Sequence, residues 1–592
     1  MDRTYRGKYT VLGGNPRLAS YIGCQACVSF WPHLCYNAGN MLKNAQEHIA
    51  RAVSELYDVE LEPQVSVPEE QFGDVASNVA MQLAKQVGQP PREIAEQIAE
   101  RLRENANFND VSVAGPGFLN IRFADSFLAS MLGQPLEETL AGKHIVTEYS
   151  DPNVFKVLHV GHLYTSIIGD AIARLYELYG AKVERVNFGG DVGLHVAKAM
   201  WGIITHIGGE LPEAVEAVPH EELADWIAQR YVEGNAAYES DPDAKAVIVD
   251  YNKAIYELHD KDEKDSNFAR IYWMCRQACY DYFNAFYDRI GTPFDRYYPE
   301  SLTAPEGLRV VKEQLGNGVF EISDGAVIFD GEKYGLHKRV FINSNGLPTY
   351  EAKDVGLSML KWQDYHFDES VIITGNDILE YMKVVIKSIE QFAPEPAQRT
   401  RHITHGMVKL QGGVKMSSRL GNFIKATDIL DMVTAAIGEQ GDASTVLAAT
   451  KYAFLKQSIG QDIWFDVEES IATHGNSGPY LQYAHARARS ILKKKEEHDP
   501  ETHIADLEPG ERTLVRKLVE YPAATRKALD ELSPHIVCGY LYELAQTFNR
   551  FYENNQVIDS EREKARLVLV KHYAEILKSG LNLLGIEATD RM

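Results

Sequence analysis

The chain has 592 residues, too many for one hydrophobic core, and should fold as three or more domains. Hydrophobic residues make up 45% and charged residues 24%, which is the mixture of an ordinary globular protein, and no apolar run approaches the roughly 20 residues of a membrane span. The net charge of −24 argues against a uniformly basic nucleic-acid binder, although binding depends on local basic faces and not on the sum.

Residues 1–40 carry Cys24, Cys27 and Cys35 with His33 nearby, a pattern that invites zinc. They have no periodicity, however, and end directly before a regular helix that starts at Met41. The reading is an appended, poorly ordered segment, with no structural metal expected. From Met41 come a helix (Ile49, Val53, Leu56), a glycine loop with Phe72-Gly73-Asp74, and a helix through Val79, Leu83 and Val87. Pro90-Pro91 breaks into a third helix through Ile94, Ile98 and Leu102. Strand-like runs at 111–113 and 118–123 follow, so residues 41–140 are expected to be a small α+β domain. There Phe118 suits a strand core and Asn120 a satisfied turn amide.

From 141 to 466 strands and helices alternate, which predicts a doubly wound, Rossmann-type parallel sheet. A helical, charged insertion at about 205–295 interrupts it. The extended run from His144 to Tyr149 leads to His159-Val160-Gly161-His162 and then to a helix through Ile167, Ile168, Ala171, Ile172, Leu175 and Leu178, stopped by Gly180. Strand, glycine turn and helix present backbone N–H groups and a positive dipole end to an anion, and two imidazoles add donors. Gly189-Gly190-Asp191 turns at the carboxyl end of a later strand, where ligands of open sheets bind. Tyr350 and Asp354 lie four apart on a predicted helix, so one face offers a flat wall and a carboxylate. Strands at 371–375 and 403–408 precede a glycine-flanked loop with Lys415-Met416-Ser417-Ser418-Arg419, a second clamp for phosphate charge. Residues 467–592 read as nearly all helical, with Ser533-Pro534 as a helix start and Ser560 opening the last helix. Arg487, Arg489, Lys493, Lys494 and Lys495 form a basic helix face, which is also readable as merely solvated.

The H-x-G-H and KMSSR segments, in this order, resemble the HIGH and KMSKS signatures of class I aminoacyl-tRNA synthetases. Glu148-Tyr149-Ser150-Asp151-Pro152-Asn153, Leu347-Pro348-Thr349-Tyr350 with Asp354, Phe72-Gly73-Asp74 and the stretch from Tyr480 to Arg487 narrow the resemblance to the arginyl-tRNA synthetase family, over about Met41–Met592. The resemblance implies ATP-dependent ligation of L-arginine to tRNA(Arg) through an arginyl-adenylate, with Mg2+–ATP as the substrate complex. It also implies a cytoplasmic monomer without membrane contact. The three regions then become a tRNA-contacting N-terminal domain, a class I catalytic domain and a helical anticodon-binding domain.

By the same resemblance His159, His162, Lys156 and Lys415 are catalytic. Gly161 lets the nucleotide approach, main-chain groups of Met407 and Val408 read adenine, and Ser417 and Ser418 complete the ATP contacts. Glu148 and Asn153 hold the α-amino and carboxyl ends of arginine, and Tyr350 with Asp354 takes the guanidinium. Phe118 and Asn120 meet the tRNA D-loop, while Tyr480, Gln482, Tyr483 and Arg487 stand at the anticodon entrance. Several positions depart from the family pattern. Ser418 replaces the second lysine of KMSKS, a charge that Lys156 can supply. Tyr164 stands for a frequent arginine, Asn343 for a basic residue and Ile378 for a glutamine. A HIGH-type nucleotidylyltransferase would not need the insertion or the helical C-terminal part, and a non-catalytic tRNA binder would not need His159, His162 and Lys415.

Overall fold

Apolar residues at helical spacing after Gly161 form the helix Val160–Leu178, and Gly180, at a φ of +85°, lets the chain turn away from it. This comes from a computed structural model that describes residues 40–410, 424–438, 441–495 and 504–591. Lys415, Ser417, Ser418 and the cysteines at 24, 27 and 35 lie outside them. The chain divides into two units: the described residues up to Glu137 with Ile504–Glu508, and the remainder from Glu138.

The first unit has the predicted helices, Asn40–Tyr57, Val79–Val87 and Pro91–Leu102. Its antiparallel sheet runs in the order Val65–Ser66, Val75–Ser77, Phe118–Phe123, Phe108–Ala114. The first two strands were not predicted, being too short to show alternation. The Phe72-Gly73-Asp74 segment pins this sheet. A Cβ on Gly73 would come within 2.7 Å of the Ile121 carbonyl oxygen, and Asp74 Oδ2 accepts the Phe123 N–H at 2.8 Å.

The second unit is built on a five-stranded, fully parallel sheet. Its order is Thr400–His405, Glu369–Gly375, His144–Glu148, Lys182–Gly189, Arg296–Pro299. In chain order these are the fifth, fourth, first, second and third strands, so the winding reverses between the first and fourth. Ligands of open parallel sheets bind at the carboxyl ends of the strands at such a reversal, here beside Glu148 and Gly375. Ile145, Val146, Val186, Val371 and Ile373 are buried in this sheet, each contributing roughly 1.5–3 kcal/mol on burial.

Four helices separate the second and third strands after Leu194–Ile207: Pro212–Glu216, His220–Ser240, Pro242–Asp260 and Asn267–Ile290. They match the predicted insertion. A small antiparallel sheet, Glu321–Ser323, Ala326–Phe329 and Arg339–Ile342, was not read as a sheet. Its strands are short and its apolar residues, such as Phe329 and Phe341, pack with Phe320 in a cluster shared with neighbouring helices.

The C-terminal part is helical, as expected, with Gly478–Lys493, Pro509–Val519, Tyr521–Asp530, His535–Asn554 and Glu563–Leu583. Ser533 does not cap its helix. Its hydroxyl donates to the Glu531 carbonyl, and the helix starts one residue after Pro534. The last helix starts at Glu563, three residues later than Ser560 suggested. The far end of Val160–Leu178 is anchored on these helices, through Tyr179 OH to Thr525 Oγ1 at 3.0 Å and Arg174 Nη1 to the Asn582 carbonyl at 3.4 Å. Among the described residues no helix is long and apolar enough to cross a membrane.

Candidate active site

His159 is the N-cap of the helix Val160–Leu178. Its Nδ1 accepts the Gly161 N–H at 3.1 Å, while its own N–H donates to His162 Nδ1 at 3.1 Å. The donors are backbone amides, so each neutral ring must carry its proton on Nε2 and is a donor there. Burial, and after it the Lys156 charge, lowers the His159 pKa to about 4. The His162 pKa is pushed well down by burial, then by His159 and Lys156. Both rings are therefore neutral Nε2 donors near pH 7. A Cβ on Gly161 would fall 2.8 Å from His159 Cε1, so glycine is required by the neighbouring ring, a reason additional to nucleotide approach.

The expectation that the turn's backbone N–H groups face an anion needs correction. The Val160 N–H donates to the Ile424 carbonyl at 3.0 Å, the Gly161 N–H to His159 Nδ1, and the His162 N–H to the His159 carbonyl at 2.9 Å. The features suited to a phosphate are the helix dipole and the two imidazole Nε2 hydrogens. The bond to Ile424, with Ala426 N–H to the Leu158 carbonyl at 2.9 Å, straps the residues that follow the KMSSR segment onto the H-x-G-H turn. On the approach to that segment, Val408–Leu410 pairs in parallel with Ile463–Phe465.

Met407 is exposed, but its N–H donates to Asp462 Oδ1 at 2.8 Å and its carbonyl accepts from Ile463 at 2.8 Å. Val408 is buried in the ladder. The main-chain groups of Met407 are thus already engaged, contrary to the adenine-reading expectation.

The second cluster surrounds the start of the helix Tyr350–Tyr365, where Tyr350 is 55% exposed and Asp354 lies one turn on. Glu148 is buried and paired with Lys361, which also reaches Ser370 Oγ at 3.3 Å. Glu148 thus already has a cation on Oε2, and an α-amino group would have to share the carboxylate with Lys361. Asn153 is partly buried and lies over Gly190, where a Cβ would fall 2.1 Å from Asn153 Oδ1. Glu300, which the sequence reading missed, starts a helix at the carboxyl end of the third strand and accepts from Lys353 Nζ at 2.6 Å. Its signal was positional, a carboxylate directly after a parallel strand. Glu351 has Arg339 at 3.5 Å. Asp354 instead accepts a hydrogen bond from the Tyr381 hydroxyl.

Burial pushes the Asp354 carboxyl up to about 8. The Tyr381 hydrogen bond opposes the shift, and the charges of Glu148, Glu300 and Glu351 add to it. A cation arriving at Asp354 must release this proton. Affinity for a cationic ligand should therefore rise with pH up to about 8 and then level off, by as much as about tenfold per pH unit below that point. Calorimetry in buffers of different ionisation enthalpy measures both the affinity and the proton. A pH-independent affinity between 6 and 8 would contradict the assignment.

Three family models cover most of the chain. That described as tRNA synthetases class I (R), catalytic domain, matches residues 128–460. The arginyl tRNA synthetase N terminal domain matches 43–123, and the DALR anticodon binding domain matches 481–592. The arginine–tRNA ligase of Clostridium perfringens is 30% identical, over 92% of this chain and 99% of that protein. The chain belongs to the arginyl-tRNA synthetase family. The Treponema pallidum arginine–tRNA ligase is 29% identical over 92% of this chain and 98% of its own length. The Thermus thermophilus arginyl-tRNA synthetase structure, 24% identical, has the same fold, with a TM-score of 0.77 over 93% of this chain and 100% of that one. That of Plasmodium falciparum, 20% identical, gives 0.78 over 94% and 100%.

The residues that family resemblance would turn toward tRNA are placed unequally. Phe118 is exposed on its strand, whereas Asn120, in register with Ala76 and Ser112, is 8% exposed and poorly placed to read a base. Phe72, singled out in the sequence only as part of the Phe72-Gly73-Asp74 loop, is an exposed ring in the same unit. On the helix Gly478–Lys493, Tyr483 is exposed, Tyr480 OH accepts from Asn549 Nδ2 at 2.8 Å, and the Arg487 guanidinium lies 4.7 Å from the Tyr552 ring. Gln482 is fully buried, and its amide donates to Ser444 Oγ and the Glu587 carbonyl, both at 2.8 Å. It is a packing residue and not an RNA contact. The basic face is largely neutralised, since Arg489 and Lys493 meet Asp590 and Lys495 meets Asp559 and Glu563.

Proposed function

We propose that this arginine–tRNA ligase, which charges tRNA(Arg) with arginine using ATP, does so between the H-x-G-H turn and the Tyr350–Asp354 face. In the first step the arginine carboxylate attacks the α-phosphate of Mg2+–ATP, giving arginyl-adenylate and pyrophosphate. In the second, a ribose hydroxyl of the terminal adenosine attacks the adenylate carbonyl and AMP leaves. The substrate carboxylate is itself the nucleophile, so activation needs positioning and charge stabilisation, not a general base. His159 and His162 would donate from Nε2 to phosphate oxygens, and Lys156 and Lys415 would meet the charge of departing pyrophosphate. Ser417, Ser418 and the Met407 side chain would flank the nucleotide. Tyr350 gives the guanidinium a flat wall, Asp354 its counter-charge, and Asn153 a hydrogen bond to the amino acid end. The domain limits proposed are 41–140, 141–466 and 467–592, and the proposed working unit is a cytoplasmic monomer.

The observation that carries this reading is Asp354, a carboxyl raised to about 8 beside an exposed tyrosine, whose neighbours Glu148, Glu300 and Glu351 already have cations. Citrulline has arginine's shape with a neutral urea. ATP–pyrophosphate exchange in the presence of tRNA should run with arginine and fail with citrulline. Equal rates with the two would defeat the reading.

On the tRNA side, Tyr483→Ala should weaken tRNA binding by about 1–3 kcal/mol if a base stacks there. Arg487→Ala should also lower the slope of log affinity against log salt by about one. Filter binding across a salt series measures both. Unchanged affinity in both variants would remove this face from the interface.

A further inference from the structure

We propose that Tyr231, on the insertion helix His220–Ser240, is a positioning residue that holds the Lys156 ammonium beside the H-x-G-H turn. The Lys156 Nζ lies 4.4 Å from the centroid of the Tyr231 ring. The inference rests on the role proposed above for Lys156 and says how that lysine is kept where it can act.

A lysine stem is flexible, and a free ammonium samples many positions. A carboxylate partner would fix it but would also neutralise it. The face of an aromatic ring attracts a cation through its quadrupole and adds no net charge. Tyr231 can therefore restrict Lys156 without itself neutralising its charge. That charge is felt at the site, since it is among the causes that lower the pKa of both His159 and His162.

The backbone under Lys156 is held by the insertion as well. Phe155 has a φ of +64°, which a non-glycine residue adopts only when its surroundings impose it. Its N–H donates to Cys279 Sγ at 3.2 Å, and its ring stacks on Tyr272 at 5.8 Å between centroids. Cys279 and Tyr272 both belong to the insertion helix Asn267–Ile290. The Tyr272 hydroxyl in turn donates to the Asp191 carbonyl at 2.9 Å. The Tyr231 helix also reaches the other flank of the turn, where Asp225 Oδ1 accepts from Lys425 Nζ at 2.6 Å. Lys425 lies in the strap that Ile424 and Ala426 make with Val160 and Leu158. The insertion thus grips both segments that converge on His159.

Single-turnover adenylate formation, with full-length enzyme, ATP, arginine and tRNA(Arg), tests this. Tyr231→Leu and Tyr231→Met should each slow the step about tenfold, the scale of a largely desolvated cation–ring contact. Neither should shift the arginine KM. Tyr231→Phe keeps the ring and should stay within about twofold of wild type. In a Lys156→Ala background Tyr231→Leu should cost nothing further, because the two residues act as one unit. A normal rate in Tyr231→Leu, an equal loss in both backgrounds, or a Phe variant as slow as Leu would each overturn the inference while leaving Lys156 in place. A normal rate in Lys156→Ala alone would overturn the reading beneath it.

Discussion

Asp354→Asn should raise the arginine KM by about 10²–10³-fold and leave the ATP KM within a few fold, since removing one partner of a buried ion pair typically costs about 3–5 kcal/mol. Asparagine keeps the size of the side chain and can still accept from the Tyr381 hydroxyl, so the loss isolates the charge. The acidic neighbours cannot take over. Glu148 is held by Lys361 and Glu300 by Lys353, in contacts that are themselves buried. The variant should also lose the rise of arginine affinity with pH up to about 8, because that rise belongs to the Asp354 proton. Steady-state pyrophosphate exchange with arginine varied at several pH values measures both effects. An unchanged arginine KM would dispose of Asp354 as the guanidinium partner.

Lys156→Ala should lower the rate of adenylate formation by about 10²–10³-fold with little change in arginine KM, the pattern of an interaction made mainly in the transition state. Ser418 brings no charge to the KMSSR segment, and the Lys156 charge already reaches His159, His162 and Glu300. Placing lysine at position 418 in that background should recover part of the loss. The histidines themselves should add no titration to this rate near neutrality. The His159 pKa is lowered to about 4, so the ring stays a neutral donor until the pH falls toward that value. A near-normal rate in Lys156→Ala would mean that the loop works without a second lysine.

The parallel sheet, the insertion and the C-terminal helices were legible in the sequence because long periodic segments announce themselves. The strands Val65–Ser66 and Val75–Ser77 are too short for a pattern, and Ser533 reads like a cap until its hydroxyl is seen to serve the turn before it. The chemistry of the site was legible in kind but not in detail. His159 and His162 were found from their spacing, yet their capping of each other, which sets the Nε2 tautomer, is a matter of geometry. Glu148 and Gln482 sit inside recognisable motifs. Only the fold reveals that Lys361 occupies the one and that Ser444 and Glu587 occupy the other. Glu300, Tyr381 and Tyr231 come from elements remote in sequence, and no local signal ties them to Asp354 or Lys156. Asn343, which departs from the family pattern, accepts from the N–H groups of Asn345 and Leu347 at 3.0 and 3.1 Å and shapes its own turn.

The most direct test of the central claim is a charging assay with total tRNA, ATP and each of the twenty amino acids, one labelled at a time. The account predicts that arginine alone becomes esterified to tRNA, that the label sits on tRNA(Arg), and that Asp354→Asn loses it at low arginine concentration. Charging with a different amino acid, or none with arginine by the intact chain, would contradict it.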